Sequence, residues 1–242
     1  MLFFEKTTAK LQQVDFTEAN LEEIELNHTT IKDCNFTRAL LKQGKLFGST
    51  LTNNIFEGAD LTEANFTASV LQNATFKGLK MVGSNFSQAV VAGGIFDEAD
   101  LTDSNFTGAT LTKASFTKAL LAQADFQKAT LRYANLSEAD LSRAVLVDAD
   151  LRGAVLVGVQ LIETNLTSST LEGLDFREAR ASGACMEAAN LRKALLTGGT
   201  FNGVKFSEAF LEGVDFRFSN LSGAEFSVSL CAAHFFLLFQ KC

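Results

Sequence analysis

The sequence predicts an all-β solenoid, a chain wound into stacked coils with four short flat sides per coil. Three observations predict it. A large apolar residue stands at every fifth position from Leu11 to Phe226, and 43 of these 44 are Leu, Phe, Ile, Met or Val, with Ala181 the exception. Of the 43 positions lying two residues earlier, 14 to 224, 35 are Ala, Gly, Ser, Thr or Cys. Longer periods are superimposed: Phe takes 14 of the large positions ending in 6 but only Phe201 among those ending in 1. The outward threonines Thr30, Thr50, Thr110, Thr130 and Thr170, and the asparagines Asn65, Asn85, Asn105 and Asn165, recur at multiples of 20.

A period of five fits neither the 3.6 of an α-helix nor the 2.0 of a strand. Two residues apart is a strand-like step that puts both side chains on one face, so the small and the large residue both point inward. The other three residues must turn a corner. Small side chains let the backbone approach the axis, and Leu and Phe fill the tube. Successive coils then pair backbone to backbone about 4.8 Å apart. Like residues every 20 stack into ladders, which gives four sides: the first centred on Leu11, the second on Phe16, the third on Leu21 and the fourth on Leu26. With no proline in the chain, every residue beyond the first keeps an N–H for such a ladder.

The runs "ADLTEANF", "ADLTDSNF" and "ANLSEADLSRA" resemble the pentapeptide-repeat family, whose pattern is A(D/N)LXX. The resemblance covers residues 11 to about 230 and implies a right-handed quadrilateral β-helix of about 11 coils, on the order of 53 Å long at ~4.8 Å per coil. Residues 1–10 are expected to cap the first coil and 11–229 to form the β-helix. Residues 230–242, LCAAHFFLLFQKC, break the spacing and are apolar on all sides, which suggests a short helical cap or a dimerisation tail. Phe210 and Phe218, with Phe235, Phe236, Leu238 and Phe239, are the candidate cap or dimer surface. A monomer and a C-terminal homodimer both remain open; gyrase-protecting members of the family dimerise through a C-terminal helix.

Three departures from the pattern are expected to be structural. Leu174 is large where small is usual and Ala181 small where large is usual, which reads as volume compensation within the tube. Inward Asn54 is expected to bond to backbone.

Nothing in the pattern supplies a catalytic constellation. His28 and His234 lie some 200 residues apart. Cys34 takes an inward small position, and no His/Cys cluster has zinc spacing. "TGGTFNG" at 197–203 lacks the strand–loop–helix context of a phosphate loop. No cofactor or metal is expected. The four cysteines, Cys34, Cys185, Cys231 and Cys242, have no disulfide spacing and suit a reducing compartment. No secretory signal or membrane span is visible, so the expected location is cytoplasmic.

Net charge is −7. Assigned by side over residues 10–228, the first side carries seven cations against four anions (+3), the second five against nine (−4), the third four against eight (−4) and the fourth three against six (−3). Direct nucleic-acid binding is therefore not expected. Asp60, Asp100 and Asp140, with Glu63 and Asp103, line the third side as a candidate acidic interaction face. Two functions follow. One is a non-catalytic scaffold whose flat faces bind a protein partner. The alternative, implied by the resemblance, is mimicry of DNA toward gyrase or another topoisomerase with protection against quinolones. Duplex DNA of the estimated length carries about 30 charges, against a net −7 here, so bulk mimicry is weak.

Overall fold

The computed structural model describes residues 9–227; residues 1–8 of the expected N-terminal cap and the whole expected C-terminal segment 230–242, including Phe235, Phe236, Leu238 and Phe239, lie outside the described residues, while Lys10, expected in the cap, already pairs in the first strand. Four short strands open the chain: β1 (Lys10–Gln12), β2 (Thr30–Lys32), β3 (Thr50–Thr52) and β4 (Val70–Gln72). They pair in parallel, in chain order, in a constant register of 20: Leu11 over Ile31 over Leu51 over Leu71. Beyond β4, and on the other three sides, the pairing continues as single-residue parallel bridges, from Asp15↔Asn35 to Lys205↔Glu225, at the same register. One coil is thus twenty residues and four pentapeptides.

Most pentapeptides repeat one scheme of backbone bonds. In the unit centred on Phe36, the N–H of Asn35 donates down to Val14 O at 3.0 Å. The N–H groups of Phe36 and Arg38 donate up, to Ile55 O at 2.7 Å and Glu57 O at 2.8 Å. The corner closes with Ala39 N–H donating to Phe36 O at 3.0 Å. The residue before that closure has left-handed φ at all 43 corners from Gln13 to Gly223, 29 of them not glycine. This sign of φ at the third residue is what a type II turn requires. Where Asp or Asn precedes the large residue, its side chain meets the remaining N–H, two residues before the next small position. Thr37 N–H donates to Asn35 Oδ1 at 3.0 Å, and the Thr37 hydroxyl donates to the same oxygen at 2.6 Å. The Asp/Asn of the repeat therefore satisfies the one amide that the coil geometry leaves over.

The core is one continuous column system. On the second side, Phe16, Phe36, Phe56, Phe76, Phe96 and Phe116 stack ring on ring at 4.8–5.6 Å. On the fourth, Phe66, Phe86, Phe106 and Phe126 do so at 4.8–5.0 Å, and the two columns meet edge to face at 5.7–6.1 Å. The stacked and edge-to-face arrangements are those the ring quadrupole prefers. Leu, Ile and Val fill the first side's column, and Leu, with Met81, predominates on the third.

At Ala181 the missing volume is met from the coil above. Register places Phe201 over the buried Ala181, and its ring edge fills the space a Cβ would take on Gly199, 2.5 Å from Phe201 Cε2. Asn54 points inward and bonds backbone of the coil below: Oδ1 accepts from Cys34 N–H at 2.9 Å, and Nδ2 donates to Ile31 O at 3.0 Å. It thereby relays the turn bond that most corners make directly, as Ser49 does between Thr29 N–H and Leu26 O.

Candidate interaction faces

Any site on this fold must be assembled from outward positions of stacked coils. On the third side the column before the large residue runs Leu40, Asp60, Lys80, Asp100, Leu120, Asp140, Gln160, Arg180. Asp60, Asp100 and Asp140 thus share one column, two coils apart, but Lys80 and Leu120 stand between them. Lys80 Nζ is 3.2 Å from Asp60 Oδ2. Each of the three carboxylates is also committed to its own corner. Asp60 accepts from Thr62 N–H at 3.0 Å, Asp100 from Thr102 N–H at 3.2 Å and Asp140 from Ser142 N–H at 3.0 Å, and each accepts from the same residue's hydroxyl. Burial pushes the Asp60 carboxyl up, but hydrogen bonds from Thr62 and the Lys80 ammonium outweigh it and the net direction is down. Glu63 sits at a left-handed corner and accepts from Gln43 Nε2 at 2.5 Å, while Asp103 occupies the corresponding corner two coils on.

Charges elsewhere are paired along the axis at the coil spacing. Arg38–Glu18, Lys45–Glu25, Lys118–Glu138, Arg143–Glu163 and Arg192–Glu212 all span 20 residues. Within single corners Arg152, Arg177 and Arg217 fold back on Asp150, Asp175 and Asp215. The Arg217 guanidinium, by hydrogen bonding and charge, holds the Asp215 carboxyl down at about 2. Asp150 and Asp175 are lowered in the same way by Arg152 and Arg177.

The basic first side concentrates Lys113, Arg132 and Arg152 in three successive coils, with Arg132 5.9 Å from the centre of the exposed Tyr133 ring. At the C-terminal end of the described residues Phe218 stands 89% exposed at a left-handed corner. Phe210 is half-buried, with the Arg192 guanidinium 4.6 Å from its ring centre. The two outward aromatics therefore differ: one already has an intramolecular partner face and the other projects.

Among the described residues no group of three or more His, Cys, Asp or Glu is placed to hold a metal ion. Cys34 is buried in the core, and Cys185 is a free, half-buried thiol. His28 sits at a corner with its ring edge-on to Phe47 at 5.0 Å, over Gly48. No described helix is long and apolar enough to cross a membrane.

These features define a class, a parallel β-solenoid of four flat sides whose outward chemistry is surface rather than cleft. Models of the pentapeptide repeat match it almost throughout: the pentapeptide repeat region over residues 5–86 and 49–118, and pentapeptide repeats (8 copies) over 119–158, 160–198 and 200–227. The chain belongs to the pentapeptide repeat family. Among solved structures it is similar to HetL, a pentapeptide repeat protein involved in heterocyst differentiation regulation from the cyanobacterium Nostoc sp. strain PCC 7120. The two are 24% identical over 90% of each chain, with a TM-score of 0.51. A pentapeptide repeat protein of the Arabidopsis thaliana thylakoid lumen is 33% identical over 43% of this chain and 68% of its own, TM-score 0.34. QnrB1, a plasmid-mediated fluoroquinolone resistance protein, is 15% identical over 97% of this chain and 95% of its own, TM-score 0.33. No curated protein sequence matches the chain.

Proposed function

We propose that the protein is a non-catalytic interaction scaffold that presents one of its flat sides to a protein partner, in the cytoplasm. One observation carries the reading: the register of 20 holds from Lys10↔Thr30 to Lys205↔Glu225 without an inserted loop. Such a lattice fixes the outward side chains in rows along its flat sides. The test is affinity capture from extracts on immobilised protein, with four variants that each place three charge reversals on one side. A partner that is lost from one variant and retained by the other three supports the scaffold. Retention of nothing above bare matrix refutes it.

A second reading, DNA mimicry toward a topoisomerase, is favoured by the net charges of −4, −4 and −3 on the second, third and fourth sides. The axial Lys/Arg pairing with those carboxylates weakens it. Titration of the protein into a gyrase supercoiling assay, with and without a quinolone, separates the two. Inhibition or drug rescue at micromolar protein supports mimicry, and no effect at large excess leaves the scaffold.

A further inference from the structure

The first side carries a group of cations that no carboxylate neutralises. None of the ion pairs formed among the described residues uses Lys113, Lys128 or Arg132. Lys113 and Arg132 lie in successive coils of the first side, and Lys128 stands at the corner that leads onto it. Between Asp103 and Glu138 the chain has one acid, Asp125, and it accepts from Gln127 N–H at 2.8 Å. On the first side itself no carboxylate stands between Asp33 and Asp150. Arg132 acts by charge on Asp150 in the coil above, but both oxygens of that carboxylate are held by Arg152, at 2.8 and 2.5 Å. The Arg132 Nε–H is buried without an acceptor, so no acid fixes the guanidinium beside the 57% exposed Tyr133 ring. Unpaired guanidinium and ammonium groups on a flat face are donors for a carboxylate supplied from outside.

An apolar seat lies in line with these cations, on the same side. A shallow depression opens between Val70, Gln72, Asn73, Val90 and Ala92, all of them first-side residues. Val90 is 41% exposed at its rim. The register stacks Val70, Val90, Thr110 and Thr130 in one column, and Arg132 follows Thr130 in the same coil. Val90 is thus two coils below Arg132 and Val70 three, or about 10 and 14 Å at ~4.8 Å per coil. An extended chain rises about 3.3 Å per residue, so these separations correspond to three or four residues of a bound strand. Between them Thr110 and Thr112 offer hydroxyls that can donate to, or accept from, the backbone of such a strand.

We infer that the first side is where the protein partner docks, and that its occupant is an extended peptide segment carrying an aliphatic residue and, three or four residues along, two or three carboxylates. This rests on the scaffold reading and adds to it the face and the chemistry. The flanks select a narrow anion. The second and fourth sides are net −4 and −3, so a nucleic-acid duplex or an anionic membrane surface, each broader than the ~10 Å of one side, meets repulsion at both edges. A single peptide strand stays between them. The aliphatic seat separates a peptide from single-stranded nucleic acid, which has no aliphatic side chain to place in the depression. From Val70 to Arg152 the face is five coils long and one side wide, about 24 by 10 Å, or roughly 240 Å². That is well short of the ~800 Å² per partner of a standard interface, so it suits one linear segment held reversibly, with a Kd of about 100 μM.

Fluorescence anisotropy on the full chain tests this. The probes are labelled Gly/Ser peptides that carry one Val and, four residues on, three Glu, made in both chain directions. The disrupting variant is Lys113→Glu with Arg132→Glu. A second is Lys113→Glu with Lys128→Glu, at corners of the kind that Glu63 and Glu138 already occupy. The control is Lys42→Glu with Arg180→Glu, exposed third-side cations whose reversal changes the net charge equally. Expected is binding of one peptide direction at about 100 μM, weakened about tenfold in both first-side variants and changed less than about twofold in the control. Replacing the peptide's Val by Ser should weaken binding about threefold. No binding up to about 2 mM overturns the proposal, as does equal binding of a peptide with Lys in place of Glu, or equal loss in the control. Tighter binding of an oligothymidylate than of either peptide also overturns it and assigns the face to nucleic acid. Failure here is distinguishable from failure of the scaffold. In the capture experiment, a partner lost only from a variant of another side keeps the scaffold and discards this face, whereas capture of nothing discards the scaffold itself.

Discussion

The stacked phenylalanines should contribute more than their buried area, and the chain contains its own control. Phe106 and Phe176 are both fully buried. Phe106 lies 5.0 and 4.8 Å from the stacked rings of Phe86 and Phe126, and 5.9 and 5.8 Å from the edge-to-face rings of Phe96 and Phe116. Phe176 makes no such ring pair among the described residues, and Leu156 and Leu196 hold its place in the adjoining coils. Leucine therefore fits this tube, and a Phe→Leu change should leave the fold intact. At Phe176 the substitution removes little volume and should cost about 1 kcal/mol, as near-conservative core changes do. At Phe106 it also removes four ring pairs; at the lower end of about 0.5 kcal/mol per pair, that adds about 2 kcal/mol. Urea denaturation of F106L and F176L, compared at equal m-value, reads the difference directly. Equal destabilisation of the two would refute the argument, because it would mean the rings serve only as volume.

Four other outcomes follow from the same geometry. Ala188→Gly should stabilise by up to about 1 kcal/mol in thermal denaturation, against the usual sign for this change, because Ala188 has φ of 54° and relief of left-handed strain exceeds the added chain entropy. Asp140→Ala should cost about 1–2 kcal/mol by freeing Ser142 N–H, while Asp140→Asn, which keeps the acceptor, should cost a few tenths in the same denaturation assay. Asp215 is held down at about 2 in the folded chain, from an ordinary 3.8. Its stabilisation is therefore complete above pH ~4 and is lost as pH falls from there toward ~2. With Arg217 74% exposed, screening limits the gain to about 1 kcal/mol, and Asp215→Asn should flatten the acid limb of a pH–stability curve by that amount. Last, Ala181→Leu should destabilise by about 1–3 kcal/mol through crowding against Phe201. Adding Phe201→Leu should recover most of that loss, a coupling that a double-mutant cycle measures.

Much of the architecture is legible in the sequence because inward positions are chemically restricted. The unbroken series from Leu11 to Phe226 marks the tube, and the threonine and asparagine recurrences mark four sides. The corners are less visible. Fourteen of the 17 glycines fall at left-handed corners, which is a readable signal, but 29 other corners hold Glu, Lys, Gln and similar residues that hide the strain. The aspartates of the third side illustrate a deeper difficulty. Asp60, Asp100 and Asp140 read as a free acidic row, whereas each is bound to the Thr or Ser two residues on. A residue required by the corner looks the same, in one sequence, as a residue required by a partner. The mixed chemistry of the first side was hidden for another reason: Val70, Val90 and Arg132 are unremarkable singly and share a face only once stacked in register.

The fixed register also sets rules for how such a chain can lengthen or shorten. Removal of twenty residues excises one coil and leaves every later side chain on the side it occupied. Removal of five keeps the core pattern intact, since Leu and Phe still arrive on schedule, yet it rotates everything downstream by a quarter turn. If the five lie between residues 57 and 63, Val90 leaves the first side and the charge-free run 46–56 no longer lies beneath the runs 64–76, 81–96 and 104–112. Stability tolerates changes in units of five, but the identity of a face tolerates only units of twenty. The face pattern is thus a phase carried along the chain, and a single pentapeptide gained or lost near the N-terminus resets it for every coil that follows.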